Sequence, residues 1–296
     1  MDYLVTAAEE GWRVADVLRR RLRVSYSALQ SAKWHERVLL NGRPVRADTR
    51  VRAGDVAAFL PEPPRPAFLP EPWDCPLKIA YRDENLMIID KPAPLPSQCG
   101  KGHDSHTLEN ALYSWLGCQA DFVYRPVNRL DKGTSGLMAV ALDAHIQQLM
   151  QRELHSPSFQ RTYLAVTDGR PPEDAGVIRL PIAKEEAASV RRVVSGDGRM
   201  SVTHYEVLAV RNEPLRALVR LTLETGRTHQ IRVHLSHMGC PVHGDFLYGE
   251  ESPLLPGRFA LHSAELTLTH PLTGESLRFI SPLPEALARL MGETFP

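Results

Sequence analysis

Residues 125–140 read Arg-Pro-Val-Asn-Arg-Leu-Asp-Lys-Gly-Thr-Ser-Gly-Leu-Met-Ala-Val, and the rest of the chain is interpreted around them. Asp131 lies at the centre, and Gly133 and Gly136 after it allow the backbone to turn tightly. Hydroxyl groups in this segment can bond nearby main chain, so a loop between two strands is the simplest interpretation. A carboxylate on such a loop is easily exposed in a cleft, where a residue with a chemical role must lie. The alternative is that Asp131 is an ordinary turn residue.

The composition indicates a globular protein outside the membrane. The chain has 296 residues, and its 35 basic side chains balance 35 acidic ones, so net charge indicates no partner. This length supports a sizeable core and more than one domain. The four scattered cysteines form no C-x-x-C pair, and the sequence shows neither a signal peptide nor an apolar run of about 20 residues. We therefore expect a cytoplasmic protein, and a monomer, although no sequence feature reports on the oligomeric state.

The first sixty residues predict a small α+β module. The apolar spacing at 14–22 predicts one helix, and a second helix should run from Ser25 towards Trp34. Asn41-Gly42 predicts the tight turn of a hairpin, and residues 56–60 predict a further strand.

Charge is segregated within this module. Between Gly11 and Gly54, eleven basic residues stand against three acidic ones, although the whole chain is neutral. Such segregation is typical of a phosphate-binding surface, and the alternative is an ordinary solvated helix face. The candidates for contact with phosphate are Arg19, Arg20, Arg21, Arg23 and Arg43.

The remainder of the chain predicts a linker and a larger domain. Prolines crowd residues 61–76, which favours an extended spacer, so we place the module at 1–60 and the larger domain at 77–296. Periodicity in the larger domain predicts helices at 108–115, after Asp143 and at 228–238, and strands at 86–92, 137–142, 161–166, 202–210 and 215–224. Strands outnumber helices and occur in pairs. The sequence therefore predicts an α+β fold, with a largely antiparallel mixed β-sheet flanked by helices.

Four ordered motifs carry a resemblance to a known family. They are Asn128-Arg129-Leu130-Asp131, Arg161-Thr162-Tyr163, Gly226-Arg227-Thr228-His229-Gln230-Ile231-Arg232-Val233-His234 and His243-Gly244-Asp245. Together they resemble the RluA-type RNA pseudouridine synthases, and residues 25–55 resemble the S-four RNA-binding domain shared with a ribosomal small-subunit protein. The chain departs from the common pattern at Tyr26, Asn128 and Arg161, where the families usually carry Arg, His and Lys.

The resemblance implies isomerisation of a uridine in structured RNA, ribosomal or transfer, without any cofactor. Asp131 aligns with the essential aspartate of the family, which acts as a nucleophile or as a base on the sugar. Tyr163 and Arg232 align with a tyrosine that stacks on the base and an arginine that pairs with the aspartate. Arg129 aligns with an arginine implicated in extruding the uridine from the RNA. The implied substrate-binding positions are Asn128, Arg129, Arg227 and His229.

The same residues are also compatible with purely structural roles. Tyr163 could be a core aromatic on a strand, and Arg129 could form a surface ion pair. His229, His234, His237, Cys240 and His243 cluster in sequence, but without H-E-x-x-H or C-x-x-C spacing we predict no metal site.

Two other functions are an enzyme with a serine nucleophile and an RNA-binding protein without catalysis. Ser135 lacks the G-x-S-x-G context of an activated nucleophile. The stronger competitor is a catalytically inactive RNA-binding or ribosome-assembly protein on the same fold. Retention of Asp131, Tyr163 and Arg232 argues against it, because binding alone does not require those three residues.

Overall fold

The computed structural model describes residues 1–32, 36–61, 66–100, 105–154 and 156–292. The chain divides into two compact units, Met1–Ala67 and Phe68–Pro296. Trp34, the expected end of the second helix, and residues 62–65 of the proline-rich segment lie outside the described residues. Within the described part of the chain, no helix is long and apolar enough to cross a membrane. No disulfide joins the four cysteines.

Within its described residues, the first unit combines two α-helices and four short strands around one core. Its elements are β1 (Asp2–Leu4), α1 (Val14–Arg20), α2 (Tyr26–Ala32), β2 (Val38–Leu40), β3 (Arg43–Pro44) and β4 (Val56–Phe59). The strands form an antiparallel sheet in the order β1-β4-β2-β3, and the apolar faces of both helices share its core. The predicted hairpin is confirmed, because Asn41 and Gly42 have the positive φ values, 52° and 75°, that its turn requires.

The second unit is built on one large sheet. Its elements are β5 (Lys78–Arg82), β6 (Leu86–Lys91), α3 (Leu108–Trp115), β7 (Ser135–Ala141), α4 (Ala144–Glu153), β8 (Gln160–Asp168), β9 (Ala175–Lys184), β10 (Arg192–Val194), β11 (Arg199–Asn212), β12 (Leu215–Leu223), α5 (Gln230–His237), β13 (Leu261–Thr269), β14 (Ser276–Ile280) and α6 (Glu285–Ala288). The strand order is β10-β9-β11-β12-β8-β13-β7-β6-β5, and β14 pairs with β13. Neighbouring strands are antiparallel except for β13 and β7, which are parallel. The predicted α+β fold with a largely antiparallel mixed sheet is confirmed.

Helices cover both faces of this sheet around β6 and β7. Alternate residues of each strand enter different cores: Met87 and Met138 share one core with α3, whereas Ile88 and Ala139 share the other with α4. Burial on both faces explains why these strands read as nearly continuous apolar runs in the sequence. Asp143 caps α4 as predicted, by accepting bonds from two backbone N–H groups of its first turn.

One local prediction is wrong. The loop that carries Asp131 does not join two strands, because it follows an irregular segment after α3, in which Pro126 forms an isolated bridge to β7. The helix predicted from about Thr228 is present and begins at Gln230, because His229 has a left-handed backbone conformation with φ of 58°. The described residues also contain β1, β5, β9, β10, β13 and β14, which the sequence patterns did not predict.

The strand register brings distant segments to one level of the sheet. Leu221 near the end of β12 pairs with Tyr163 of β8, which pairs with Ser263 of β13, which pairs with Gly136 at the start of β7. The segment after β12 and the loop before β7 therefore leave the sheet at the same level, on either side of Tyr163. The paired residues Leu221, Tyr163, Ser263 and Gly136 thus determine where these two segments meet.

Gly136 allows the close approach of β7 to β13. Its φ is +105°, and a Cβ atom built on it would lie 2.2 Å from the backbone oxygen of Ser263. We predict that Gly136→Ala lowers the free energy of unfolding by about 3–5 kcal/mol, because rigid backbone on both sides must move. Gly274→Ala is the matched control, since Gly274 has φ of +75° and open space around its Cα, so that backbone strain of about 1–2 kcal/mol is expected there. Chemical denaturation measures both, and equal losses would contradict the prediction.

Candidate active site

One solvent-open cleft in the second unit collects residues from four separate segments. It is lined by Arg129, Leu130, Asp131, Thr134, Tyr163, Leu223, Arg227, His229, Gln230, Ile231, Arg232 and Leu261. These residues belong to the loop before β7, to β8, to the segment from the end of β12 into α5, and to β13. Three arginines and one carboxylate line the cleft, so its charge is net positive, which suits a phosphate-bearing ligand.

Arg232 lies buried between two carboxylates. Its Nη1 donates to Oδ2 of Asp131 at 2.9 Å, while its Nε and Nη2 donate to Oδ2 and Oδ1 of Asp245 at 2.6 and 2.8 Å. Burial disfavours the guanidinium charge, but hydrogen bonding to Asp245 and the charge of Asp131 outweigh it, so the pKa of Arg232 is raised. The structure brings Asp131 and Arg232 into contact, as the sequence predicts. The two bonds to Asp245 fix the plane of the guanidinium.

Asp131 is fixed through its neighbours in the chain. The backbone N–H of Leu95 donates to the carbonyl of Lys132 at 2.9 Å, on one side of the aspartate. On the other side, the hydroxyl of Ser97 donates to the carbonyl of Leu130 at 2.6 Å and accepts from its N–H at 3.3 Å. The carboxylate remains partly accessible, with 28% of the side chain exposed. Asp131 is therefore an accessible acid on a fixed loop.

The segment that holds this loop is itself anchored by a buried lysine. Lys91, at the end of β6, is fully buried and donates from Nζ to the carbonyls of Pro92 and Leu95 at 3.0 and 2.7 Å. Burial lowers the pKa of Lys91 to about 7, although the charge of Asp131 opposes this shift. The sequence did not indicate this contact, because it depends on the path of the chain after β6.

Tyr163 belongs to both the core and the cleft. It is 5% exposed, packs in the main hydrophobic core and lines the cleft beside Asp131. Burial raises the pKa of its hydroxyl, so the ring is neutral at neutral pH. The two interpretations of Tyr163 from sequence are thus compatible with each other.

His229 enters the cleft from the residue that precedes α5. Its Nδ1 lies 2.8 Å from the hydroxyl of Tyr248, and its Nε2 lies 3.8 Å from Oδ2 of Asp131. Burial lowers the pKa of His229, which favours the neutral ring. The Tyr248 hydroxyl also accepts a hydrogen bond from the backbone N–H of Arg192 at 2.8 Å.

Two residues of this arrangement were missed by the sequence analysis. Asp245 is fully buried and binds Arg232, and Tyr248 holds His229. Asp245 belongs to the His243-Gly244-Asp245 motif, so its position in a motif was the available signal, but its partner was not evident. Tyr248 carries no signal in the sequence.

The remaining predicted residues differ in where they lie. Arg129 is exposed at the cleft, and Arg227 lines it while partly buried. Asn128 does not line the cleft: it is buried, and its Oδ1 accepts from the N–H of Ala139 at 2.9 Å. We therefore correct its predicted role from a substrate contact to support of β7. Arg161 is buried with its guanidinium over the ring of Phe159.

The histidine-rich segment does not gather its side chains around one point. His234 lies 2.9 Å from the hydroxyl of Thr203, and His243 lies 2.7 Å from Asp168. Among the residues that the structure describes, no group of three or more His, Cys, Asp or Glu side chains is placed to hold a metal ion.

The predicted basic residues of the first unit are exposed. They are Arg19, Arg20, Arg21, Arg23 and Arg43. Arg21 forms an ion pair with the buried carboxylate of Glu9, so its charge is already partly neutralised. Arg20 lies over the ring of Trp12, with 4.9 Å between the guanidinium carbon and the ring centroid.

Comparisons with known proteins identify the family to which the chain belongs. A family model described as RNA pseudouridylate synthase matches residues 85–237. An uncharacterized RNA pseudouridine synthase of Bacillus subtilis, YhcT, is 33% identical over 98% of this chain and 96% of its own length. The ribosomal large subunit pseudouridine synthase D of Pseudomonas aeruginosa is 40% identical, over 72% of this chain and 70% of its own.

A solved structure of a pseudouridylate synthase domain is also similar to this chain. The human RNA pseudouridylate synthase domain containing 1 aligns with a TM-score of 0.57 and 28% identity, over 70% of this chain and 83% of the human chain. Fold, cleft and relatives point to one class of protein. This chain therefore belongs to the RNA pseudouridylate synthase family, of the RluA type that its motifs predict.

Proposed function

We propose that this chain converts uridine to pseudouridine in ribosomal RNA, with Asp131 as the catalytic group. The observation that carries the proposal is the cleft itself, in which Asp131, Arg232 and Tyr163 meet although they lie far apart in sequence. Ribosomal RNA is proposed as the substrate because relatives of similar sequence are named for the large ribosomal subunit.

The reaction is an isomerisation that needs no other reactant. The C1′–N1 bond of the nucleotide breaks, and its electron pair stays with the uracil. The base then rotates, and C5 bonds to C1′. The hydrogen on C5 leaves as a proton and N1 gains one, so substrate and product have the same composition. Rotation is impossible inside a stacked helix, so the uridine must first be flipped out of the RNA, which costs a few kcal/mol.

The geometry around Asp131 leaves one of its two carboxyl oxygens available. Oδ2 accepts a hydrogen bond from Nη1 of Arg232 at 2.9 Å. Oδ1 has no hydrogen-bond partner among the described residues, and the side chain is partly exposed to the cleft. Both proposed roles, attack on the sugar C1′ and removal of a proton from the sugar, require such a free oxygen.

Tyr163 and the cleft arginines have supporting roles in this proposal. The Tyr163 ring forms a wall on which a single flipped base can stack. Arg129 is an exposed planar cation at the mouth, suited to fill the space that the uridine leaves and to bind a phosphate. Arg227 adds a second positive charge for the RNA backbone.

The first unit is proposed to bind RNA as an S-four-like module, with residues 61–76 as the linker to the catalytic domain. The arrangement of two helices beside a small antiparallel sheet, and the exposure of Arg19, Arg20, Arg23 and Arg43, support this role. Its phosphate contacts would add affinity without reading sequence.

Among the predictions for the proposed function, the first concerns Asp131. Asp131→Asn should reduce pseudouridine formation by about 10³-fold or more, because the amide can neither attack carbon nor accept a proton at this site. RNA affinity should stay within a few-fold of wild type, since the volume is unchanged. The rate is measured as tritium released from RNA labelled at uridine C5. Asp143→Asn is the matched control, because asparagine caps a helix as well as aspartate does. Full turnover by Asp131→Asn would refute its role.

The second prediction concerns Asp245, which orients Arg232 and does not line the cleft. Asp245→Asn should lower the rate of isomerisation about 10- to 100-fold at saturating RNA, because the guanidinium loses the fork that aims Nη1 at Asp131. It should also lower the free energy of unfolding by about 3 kcal/mol, since a buried ion pair is broken. Single-turnover kinetics and denaturation measure the two effects. A wild-type rate together with a wild-type free energy of unfolding would contradict the proposed role of Asp245 in orienting Arg232.

The third prediction concerns the first unit. Replacing Arg19, Arg20 and Arg23 together by glutamine should weaken RNA binding and reduce the slope of log affinity against log salt by about 2 to 3, since three phosphate contacts are lost. Arg21→Gln is the internal control, because Arg21 is paired with Glu9 and should change the slope less. Titrations at several salt concentrations measure the slope, and an unchanged slope in the triple variant would exclude an RNA-binding role for these arginines.

A further inference from the structure

We propose that His229 is a further catalytic residue, which donates a hydrogen bond from Nε2 to a carbonyl oxygen of the target uracil. The inference rests on the proposed function, because it assigns a contact with the base that the reaction releases. Three observations support the proposal: the backbone conformation of His229, the hydrogen bond between its Nδ1 and Tyr248, and the lack of a hydrogen-bond partner for its Nε2 among the described residues.

His229 lines the cleft from an unusual backbone conformation. His229 has φ of 58° and ψ of 19°, a left-handed conformation that is uncommon for residues other than glycine. It lies between Arg227 and the first turn of α5, both of which line the cleft. A strained residue of this kind persists where the surrounding structure holds it, and such residues concentrate at functional sites.

The hydrogen bonds around Tyr248 favour one position for the proton on the neutral ring of His229. The Tyr248 hydroxyl accepts the backbone N–H of Arg192 at 2.8 Å, so its own hydrogen is available for His229 Nδ1 at 2.8 Å. Nδ1 is then an acceptor, and a neutral imidazole with an acceptor at one nitrogen carries its hydrogen on the other. We therefore assign the N–H to Nε2.

This donor faces the cleft without an acceptor among the described residues. The nearest carboxylate oxygen, Oδ2 of Asp131, lies 3.8 Å away, beyond hydrogen-bond distance, and it already accepts from Arg232. The edge-on contact of the ring with Tyr248, with centroids 5.6 Å apart, fixes its orientation. An acceptor supplied by the substrate beside Asp131 completes the arrangement.

The reaction creates such an acceptor. When the C1′–N1 bond breaks, the electron pair that remains with uracil is shared with its two carbonyl oxygens. A fixed N–H aimed at one of these oxygens binds the charged leaving base more strongly than the neutral substrate, which accelerates bond cleavage. His229 keeps its proton throughout, so this role differs from that of a base that removes the C5 proton.

A pair of amide variants tests the proposal. Glutamine places an amide N–H near the position of Nε2, whereas asparagine tolerates the left-handed backbone and can reach Tyr248 but not the base. His229→Asn should slow single-turnover pseudouridine formation about 10²- to 10³-fold, as loss of a charge-stabilising donor does elsewhere. His229→Gln should remain within about 10-fold of wild type. Equal rates for the two variants, fast or slow, would overturn the donor role.

Three further measurements make the result specific. The RNA is an unmodified large-subunit ribosomal transcript labelled at uridine C5, and both variants should bind it within a few-fold of wild type. His237→Asn, an exposed change on the same helix, should leave the rate unchanged. Wild-type protein and Asp131→Asn are assayed in parallel. Absence of product with wild type would refute the proposed function, whereas active wild type with an equally active His229→Asn would refute this inference alone.

Discussion

The guanidinium of Arg232, held between the carboxylates of Asp131 and Asp245, is the interaction on which the site depends. A cation buried this deeply is unfavourable unless it is paired and fully hydrogen-bonded. Asp245 supplies the structural half of the pairing: it is fully buried, binds two nitrogens of the fork and also accepts the backbone N–H groups of Leu247 and Tyr248. The third nitrogen is thereby directed to Asp131, whose carboxylate remains accessible.

The sheet explains how the carboxylate of Asp131 reaches the guanidinium of Arg232. β7 and β13 pair in parallel at Gly136 and Ser263, and this contact is close enough that a side chain at 136 would collide with the backbone. The loop before β7 therefore enters at the level where β12 ends, and α5 begins shortly after β12. Asp131 and Arg232 are brought together by strand register, although one hundred residues separate them.

The sequence predicted those parts of the fold that depend on local physics. The helix at α3, the Asp143 cap of α4, the turn at Asn41-Gly42 and the apolar run of β6 follow from residue type and spacing alone. Strand β9 was missed because most of its residues are at least partly exposed and it contains Pro181, so that its pairing with β11, and not its composition, defines it. Motifs identified Asp131, Tyr163 and Arg232, but the buried partners Asp245 and Tyr248 depend on how the chain folds back after α5.

The central claim is that this cleft isomerises uridine in ribosomal RNA, and pseudouridine mapping tests it most directly. An unmodified large-subunit ribosomal RNA transcript is incubated with the purified full-length chain, and pseudouridine is located at single-nucleotide resolution. We expect new pseudouridine at one or a few defined uridines, approaching one equivalent at each. A transcript that remains unmodified at every position, with protein that is folded and binds the RNA, would contradict the claim.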